Sequence, residues 1–221
     1  PVQKFPMKVV DATGYEMTIV SEPRRIVSLT LGSDEMLMGM IDAGRILALT
    51  KYADDPEISN IAEEAKKVAN RASFSNIEEL IAMGPDLVIT DTWADPNEVK
   101  QLRDAGINVY VFQTPCNIDQ QKAVITELAK ITGADEKGQE LIDWMNQKLA
   151  EVEDKVSKLA PGEKLRVLDY GEIGSSGLGT NYDDIVTRAG LINVVSEAGI
   201  EGWPMITKEQ IIEFNPDVIT L

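Results

Sequence analysis

Apolar residues follow two rhythms along this chain. Short unbroken runs occur at Ile26-Val27-Ser28-Leu29, at residues 46–49, at Leu87-Val88-Ile89-Thr90 and at Val109-Tyr110-Val111-Phe112. Strands covered on both faces read this way. Between them, apolar positions recur at steps of three and four, which predicts helices over residues 33–43, 76–83, 96–105 and 118–132, with Ser33 capping the first. Strand and helix alternate, so a parallel sheet with helices on its faces is expected. Ahead of this, Val9-Val10-Asp11 and Met17-Thr18-Ile19-Val20 flank Thr13-Gly14, a hairpin signal. Residues 52–71 are polar and loop-rich, with room for one short helix near 58–66.

The longest periodic stretch covers residues 135–159. Leu141, Met145, Leu149, Val152, Val156 and Leu159 form one apolar stripe on a helix about 37 Å long. Glu151 with Lys155, and Asp154 with Lys158, are i,i+4 pairs in the favourable order. Gly133 stops the preceding helix, and Pro161-Gly162 ends this one. The strand–helix pattern then restarts, with a strand at 165–168, a glycine-rich loop at 171–179, helices at 181–189 and 207–214, and a strand at 218–221.

Part of the pattern is repeated. The run Asn76-Ile77-Glu78-Glu79-Leu80, continuing to Gly84-Pro85-Asp86-Leu87-Val88-Ile89, matches Thr207-Lys208-Glu209-Gln210-Ile211, continuing to Asn215-Pro216-Asp217-Val218-Ile219. The offset is a constant 131 residues, from Asn76 to Thr207 and from Pro85 to Pro216. Each copy begins on a cap residue with Glu or Gln three places on, stops at Gly or Asn, and enters a strand through Pro-Asp. This predicts an α/β protein of two Rossmann-like lobes with parallel sheets, linked by one long α-helix. The expected division is residues 1–117, a helical linker 118–160, and a second lobe 161–221. After Ile219 only two residues remain, so the second lobe is expected to be truncated, with residues 218–221 an unprotected strand.

Composition narrows the chemistry. A net charge of −16 argues against nucleic acid and anionic lipid as partners. The chain has no histidine and a single cysteine, Cys116, so Ser-His-Asp and Cys-His nucleophile systems, zinc sites using histidine and internal disulfides are excluded. No run of 18 apolar residues suits a membrane span. The chain starts at Pro1 without an initiating Met or signal sequence, as if an export signal or lipid-anchor segment had been removed.

In open parallel sheets, ligands bind beyond the carboxyl ends of the strands. That rule selects Thr30, Ser33, Tyr52, Thr92, Trp93, Thr114 and Tyr170. Trp203 stands just before the second repeat helix, and aromatics facing one another across a cleft would suit a flat or bulky ligand. Gly177-Leu178-Gly179 opens a G-x-G, but Tyr182 breaks the dinucleotide fingerprint and no P-loop follows. A flexible loop at a cleft edge is expected there. Glu78 and Glu209 hold equivalent early positions on the repeat helices, where an acid favours the helix dipole.

Taken in order, Val10-Asp11-Ala12-Thr13-Gly14, Pro23-Arg24-Arg25-Ile26-Val27-Ser28, both repeat copies, the long helix and Gly202-Trp203-Pro204 resemble the substrate-binding proteins of bacterial iron-siderophore, haem and cobalamin ABC importers. The resemblance covers essentially the whole chain. It implies two α/β lobes joined by a rigid helix, ligand held between them, no catalysis and no intrinsic cofactor. The cargo it implies is a metal chelate containing iron or cobalt. It further implies that Glu78 and Glu209 dock on arginines of a membrane permease dimer, and that the protein works in the periplasm or as a membrane-anchored lipoprotein outside the cell. Arg71 becomes a candidate for the acidic oxygens of a siderophore. The alternatives are an α/β enzyme acting on a nucleotide or sugar, with Asp86, Asp91 or Glu172 as acid-base, and a sensory or structural module of the same fold.

Overall fold

The computed structural model describes residues 4–171 and 174–221. A hairpin opens the chain, with β1 (Met7–Val10) antiparallel to β2 (Glu16–Ile19). There follow β3 (Ile26–Ser28), α1 (Leu31–Met40), β4 (Ile46–Leu49), β5 (Asn70–Arg71), α2 (Ile77–Met83), β6 (Leu87–Asp91), α3 (Pro96–Asp104), β7 (Val109–Phe112) and α4 (Ile118–Thr132). The chain continues through α5 (Asp135–Val156), β8 (Arg166–Asp169), α6 (Asn181–Arg188), β9 (Ile192–Asn193), α7 (Val194–Glu197), α8 (Lys208–Phe214) and β10 (Val218–Thr220).

Backbone contacts divide the chain into two compact units. One comprises Pro1–Thr114 and Val124–Leu141, the other Pro115–Ala123 and Ile142–Leu221. The first holds a five-stranded parallel sheet in the order β5-β4-β3-β6-β7, and the second a three-stranded parallel sheet in the order β10-β8-β9. The two repeat copies therefore lie in separate sheets, and α5 is one unbroken helix, as the pattern predicts.

Several local expectations change. Helix α1 ends at Met40, because Ile41 turns extended at φ −123°, ψ 160°. Helix α5 ends at Val156, and its Glu151 carboxylate takes Lys148 at 3.0 Å and Gln147 at 3.1 Å, one turn back, instead of Lys155. The expected Asp154–Lys158 pair forms at 2.6 Å. The short elements β5, β9 and α7 lie below the length at which periodicity registers. Strand β10 lies at the edge of its sheet with exposed residues.

The repeat has a physical basis. The Asp86 carboxylate accepts the backbone N–H groups of Arg24 at 2.7 Å and Arg25 at 3.0 Å, fixing β6 against β3. The Arg25 guanidinium donates to the Gly84 carbonyl at 2.8 Å and to that of Met83, the last carbonyls of α2. In the second unit Asp217 accepts the Arg166 N–H at 2.8 Å, and the Arg166 guanidinium donates to the Phe214 carbonyl at 2.9 Å. Gly84 (φ 61°) and Asn215 (φ 45°) both take the left-handed conformation that ends the helix and turns the chain into its strand. Leu80 and Ile211, one helical turn in, point to the two cores.

Beneath the carboxyl ends of β3 and β4 lies a buried carboxylate. Asp34, in the first turn of α1, has no exposed surface. One of its oxygens accepts the Thr50 N–H at 3.1 Å and hydroxyl at 2.5 Å, which ties β4 to α1, while Oδ1 has no hydrogen-bond partner. Burial pushes its pKa up to about 6, against the opposing influence of the nearby Ser28 hydroxyl, the Thr50 hydrogen bonds and the more distant Arg71 charge.

Two outcomes follow from this packing. Leu80→Ala should lower the unfolding free energy by about 2–5 kcal/mol, read from urea denaturation; a loss below about 1 kcal/mol would show that α2 is not held through that face. A carboxylate with a raised folded pKa destabilises the fold above that pKa and stops doing so as pH falls through it. The stability of the unsubstituted protein relative to Asp34→Asn should therefore improve by about 2–3 kcal/mol between pH 7 and pH 4, and a pH-independent difference would remove Asp34 as the titrating group.

Candidate functional site

In the first unit the chain begins its sheet at β3, winds outward through β4 and β5, and then crosses to β6 and β7 on the other side. The direction of winding reverses at β3, and the carboxyl rim at such a reversal is where open parallel sheets place their ligands. Six of the predicted residues stand on this rim: Thr30, Tyr52, Arg71, Thr92, Trp93 and Thr114. Thr30 follows β3 and caps α1, its hydroxyl accepting the Ser33 N–H at 3.1 Å. Tyr52 follows β4 and is half exposed, with the Lys51 ammonium 5.3 Å from its ring centre. Arg71 ends β5. Trp93 lies on the turn after β6, with 72% of its surface exposed.

Ser33 does not reach the rim surface. It is fully buried, and its hydroxyl bonds those of Ser28 at 2.6 Å and Thr30 at 2.8 Å. Its role is to hold the turn that presents Thr30. Arg71 is likewise engaged. Its Nε and Nη2 donate to the two Asp54 oxygens at 2.7 and 2.5 Å, Nη1 donates to the carbonyls of Val68 (2.6 Å) and Asn70 (2.8 Å), and Nη2 also donates to that of Ala65 (3.1 Å). A guanidinium has five N–H donors, and each has an acceptor in its own loop.

Hydroxyls and one carboxylate complete the rim. The Thr92 and Thr114 hydroxyls are 2.9 Å apart. Asp91 ends β6 and accepts the Trp93 N–H at 3.0 Å. Its pKa is raised by burial, against the hydrogen bonds of Trp93 and Thr114.

The second unit has its own rim. Tyr170 follows β8 and donates its N–H to the Thr220 carbonyl at 2.9 Å; the Tyr182 hydroxyl lies 3.1 Å from that of Thr220. Asp169, the last residue of β8, accepts the Ser176 hydroxyl at 2.6 Å. The described part of the glycine-rich stretch is not the loose loop expected from its composition. Ser175, Gly177 and Leu178 donate backbone N–H groups to Pro204, Gly202 and Ile200 at 2.7–2.8 Å. A Cβ on Gly174 or Gly177 would collide with the facing carbonyls of Trp203 or Ile200, so these glycines permit close approach of two backbones. That pairing holds the Gly202-Trp203-Pro204 segment, with Trp203 half exposed. Glu172 lies outside the described residues.

Glu78 and Glu209 are exposed, each in the first turn of its helix and next to a bonded cap. The side chain of Asn76 accepts the Glu79 N–H, and that of Thr207 accepts the Gln210 N–H. The two glutamates thus ride on equivalent backbones. Asp54 and Asp34 were not selected from sequence. Asp54 lies 17 residues from the arginine it closes, and Asp34 reads as an ordinary first-turn acid, so only the folded chain reveals what each faces.

Among the described residues no helix is long and apolar enough to cross a membrane, and no three His, Cys, Asp or Glu side chains converge to hold a metal ion. Comparison with known proteins adds the lineage. The uncharacterized ABC transporter substrate-binding lipoprotein YvrC of Bacillus subtilis is 26% identical over 223 residues, covering 97% of this chain and 68% of that one. A cobalamin-binding protein of Halobacterium salinarum is 22% identical over 216 residues, covering 97% of this chain, which spans 58% of that protein's length. The molybdate periplasmic binding protein MolA of Haemophilus influenzae, solved with molybdate, shares the fold with a TM-score of 0.81 at 20% identity, over 96% of this chain and 73% of that one. A family model described as periplasmic binding protein matches residues 26–221, nearly the whole of both α/β units, and the chain belongs to that family.

Proposed function

We propose that this chain is the substrate-binding component of an ABC importer, carrying a ferric siderophore, haem or cobalamin to a membrane permease dimer from outside the cytoplasmic membrane. The observation that carries the reading is the in-register pair Glu78 and Glu209. Two copies of one helix–turn–strand unit, 131 residues apart, present the same exposed acid from the same capped first turn. A two-fold permease offers two equivalent basic surfaces, and a pair of matched acids meets that need. Exposed charges of this kind set orientation and encounter rate more than tight binding.

The rim residues suit cargo that arrives already coordinated. Thr30, Tyr52 and Trp93 in one unit, and Tyr170 and Trp203 in the other, offer hydroxyls and partly exposed aromatic faces. Such groups grip a bulky complex without supplying metal ligands. The names of the relatives, among them a substrate-binding lipoprotein and a cobalamin-binding protein, support the same reading.

The double variant Glu78→Ala with Glu209→Ala should retain chelate affinity, measured by tryptophan fluorescence titration, and should abolish chelate uptake in cells that depend on this carrier. Normal uptake by the double variant would reject the docking role of these glutamates.

A further inference from the structure

The rim of the first unit contains an arginine that cannot serve a ligand. Arg71 ends β5 at the carboxyl edge, where an anion-binding guanidinium would be placed. Its five N–H groups are all engaged within residues 54–71, two of them by the Asp54 carboxylate in a bidentate pair. The pairing holds the Asp54 carboxyl below its ordinary range, chiefly through the Arg71 hydrogen bonds, and raises Arg71 chiefly through the same bonds. The pair stays ionised and closed at neutral pH.

The other charges nearby do not offset this. Lys51 is an exposed cation at the end of β4, but Asp54 and Asp55 follow it in the same short turn. Asp91, at the end of β6, makes its hydrogen bonds to a backbone N–H and a hydroxyl, not to a cation. On the second unit's rim, Asp169 is bonded by the Ser176 hydroxyl. Over the whole chain the net charge is −16, so the long-range field also repels anions.

We propose that the cargo is a metal chelate with no net negative charge, bound through hydroxyl, amide or amine groups, and that Asp54 sets this preference by occupying Arg71. The proposal rests on the carrier reading above and narrows it. Neutral or cationic complexes meet carboxylate and hydroxyl acceptors at the strand ends. Complexes ringed with phenolate or carboxylate oxygens find no free guanidinium among the described rim residues and meet like charge.

Calorimetric titration of the chain with cyanocobalamin, a cationic ferric trishydroxamate, a trianionic ferric triscatecholate and haemin tests the ranking. The tightest binder should be the neutral or the cationic probe, with the anionic ones at least about 30-fold weaker. Tightest binding of the triscatecholate or of haemin overturns the proposal. Binding of none of the probes overturns the carrier reading itself, a result distinct from a reversed ranking. Asp54→Ala frees the guanidinium and should raise triscatecholate affinity about tenfold, with a thermal melt confirming that the variant is folded. Asp54→Asn, which keeps an acceptor for Arg71, should give a smaller gain. No gain in either folded variant removes Asp54 as the residue that sets selectivity.

Discussion

A pair of parallel strands has no tight turn to set its register, so something else must. In this protein an aspartate does it twice. Asp86 binds two backbone N–H groups just before β3, Asp217 binds one at the start of β8, and an arginine at the entry to each receiving strand closes the helix that delivers each aspartate. Helix stop, strand entry and strand pairing become one connected unit. A slip of one residue would move every side chain of the strand to the opposite face. The rim geometry of both sheets, and hence the placement of Thr30, Trp93 and Tyr170, depends on this clamp.

The same unit explains what could be read before folding was known. Its parts are local and chemically distinctive: a cap, an acid three residues on, a left-handed stop at Gly84 or Asn215, then Pro-Asp. Sequence matching found both copies because each part constrains residue type. Legibility failed where the partner is distant or the signal weak. Arg71 looks like a free loop arginine until Asp54, Ala65 and Val68 close around it. Ser33 looks like an exposed cap until the chain buries it under Thr30. The glycine-rich stretch shows composition but not its facing backbone, so its sequence predicts flexibility where residues 174–178 pack closely. Strands of two residues, such as β5 and β9, carry no period at all.

In the proposed carrier, the strand-end rims and the glutamate pair would divide the labour in a physically sensible way. Aromatic and hydroxyl groups stand at strand ends that the sheets hold rigidly, which favours preorganised contact with a bulky cargo. The glutamates lie on first helical turns at the surface, where a long-range charge can act without desolvation. The hairpin β1–β2 is anchored through its turn. The Asp11 carboxylate accepts hydrogen bonds from Thr13, Tyr15 and Val111 and pairs with Arg103, so the turn recognised in the sequence docks on β7.

The aspartate clamp also bears on how the chain is made. Asp86 follows Arg25 by 61 residues, and Asp217 follows Arg166 by 51. At roughly 5–20 residues per second on the ribosome, β3 waits several seconds for the strand that covers its second edge. Strand β4 is synthesised sooner and can pair with one side, but Ile26 and Val27, fully sealed in the finished molecule, keep an open apolar border until then. That interval is the time for which the nascent β3 edge stays open to misplaced pairing.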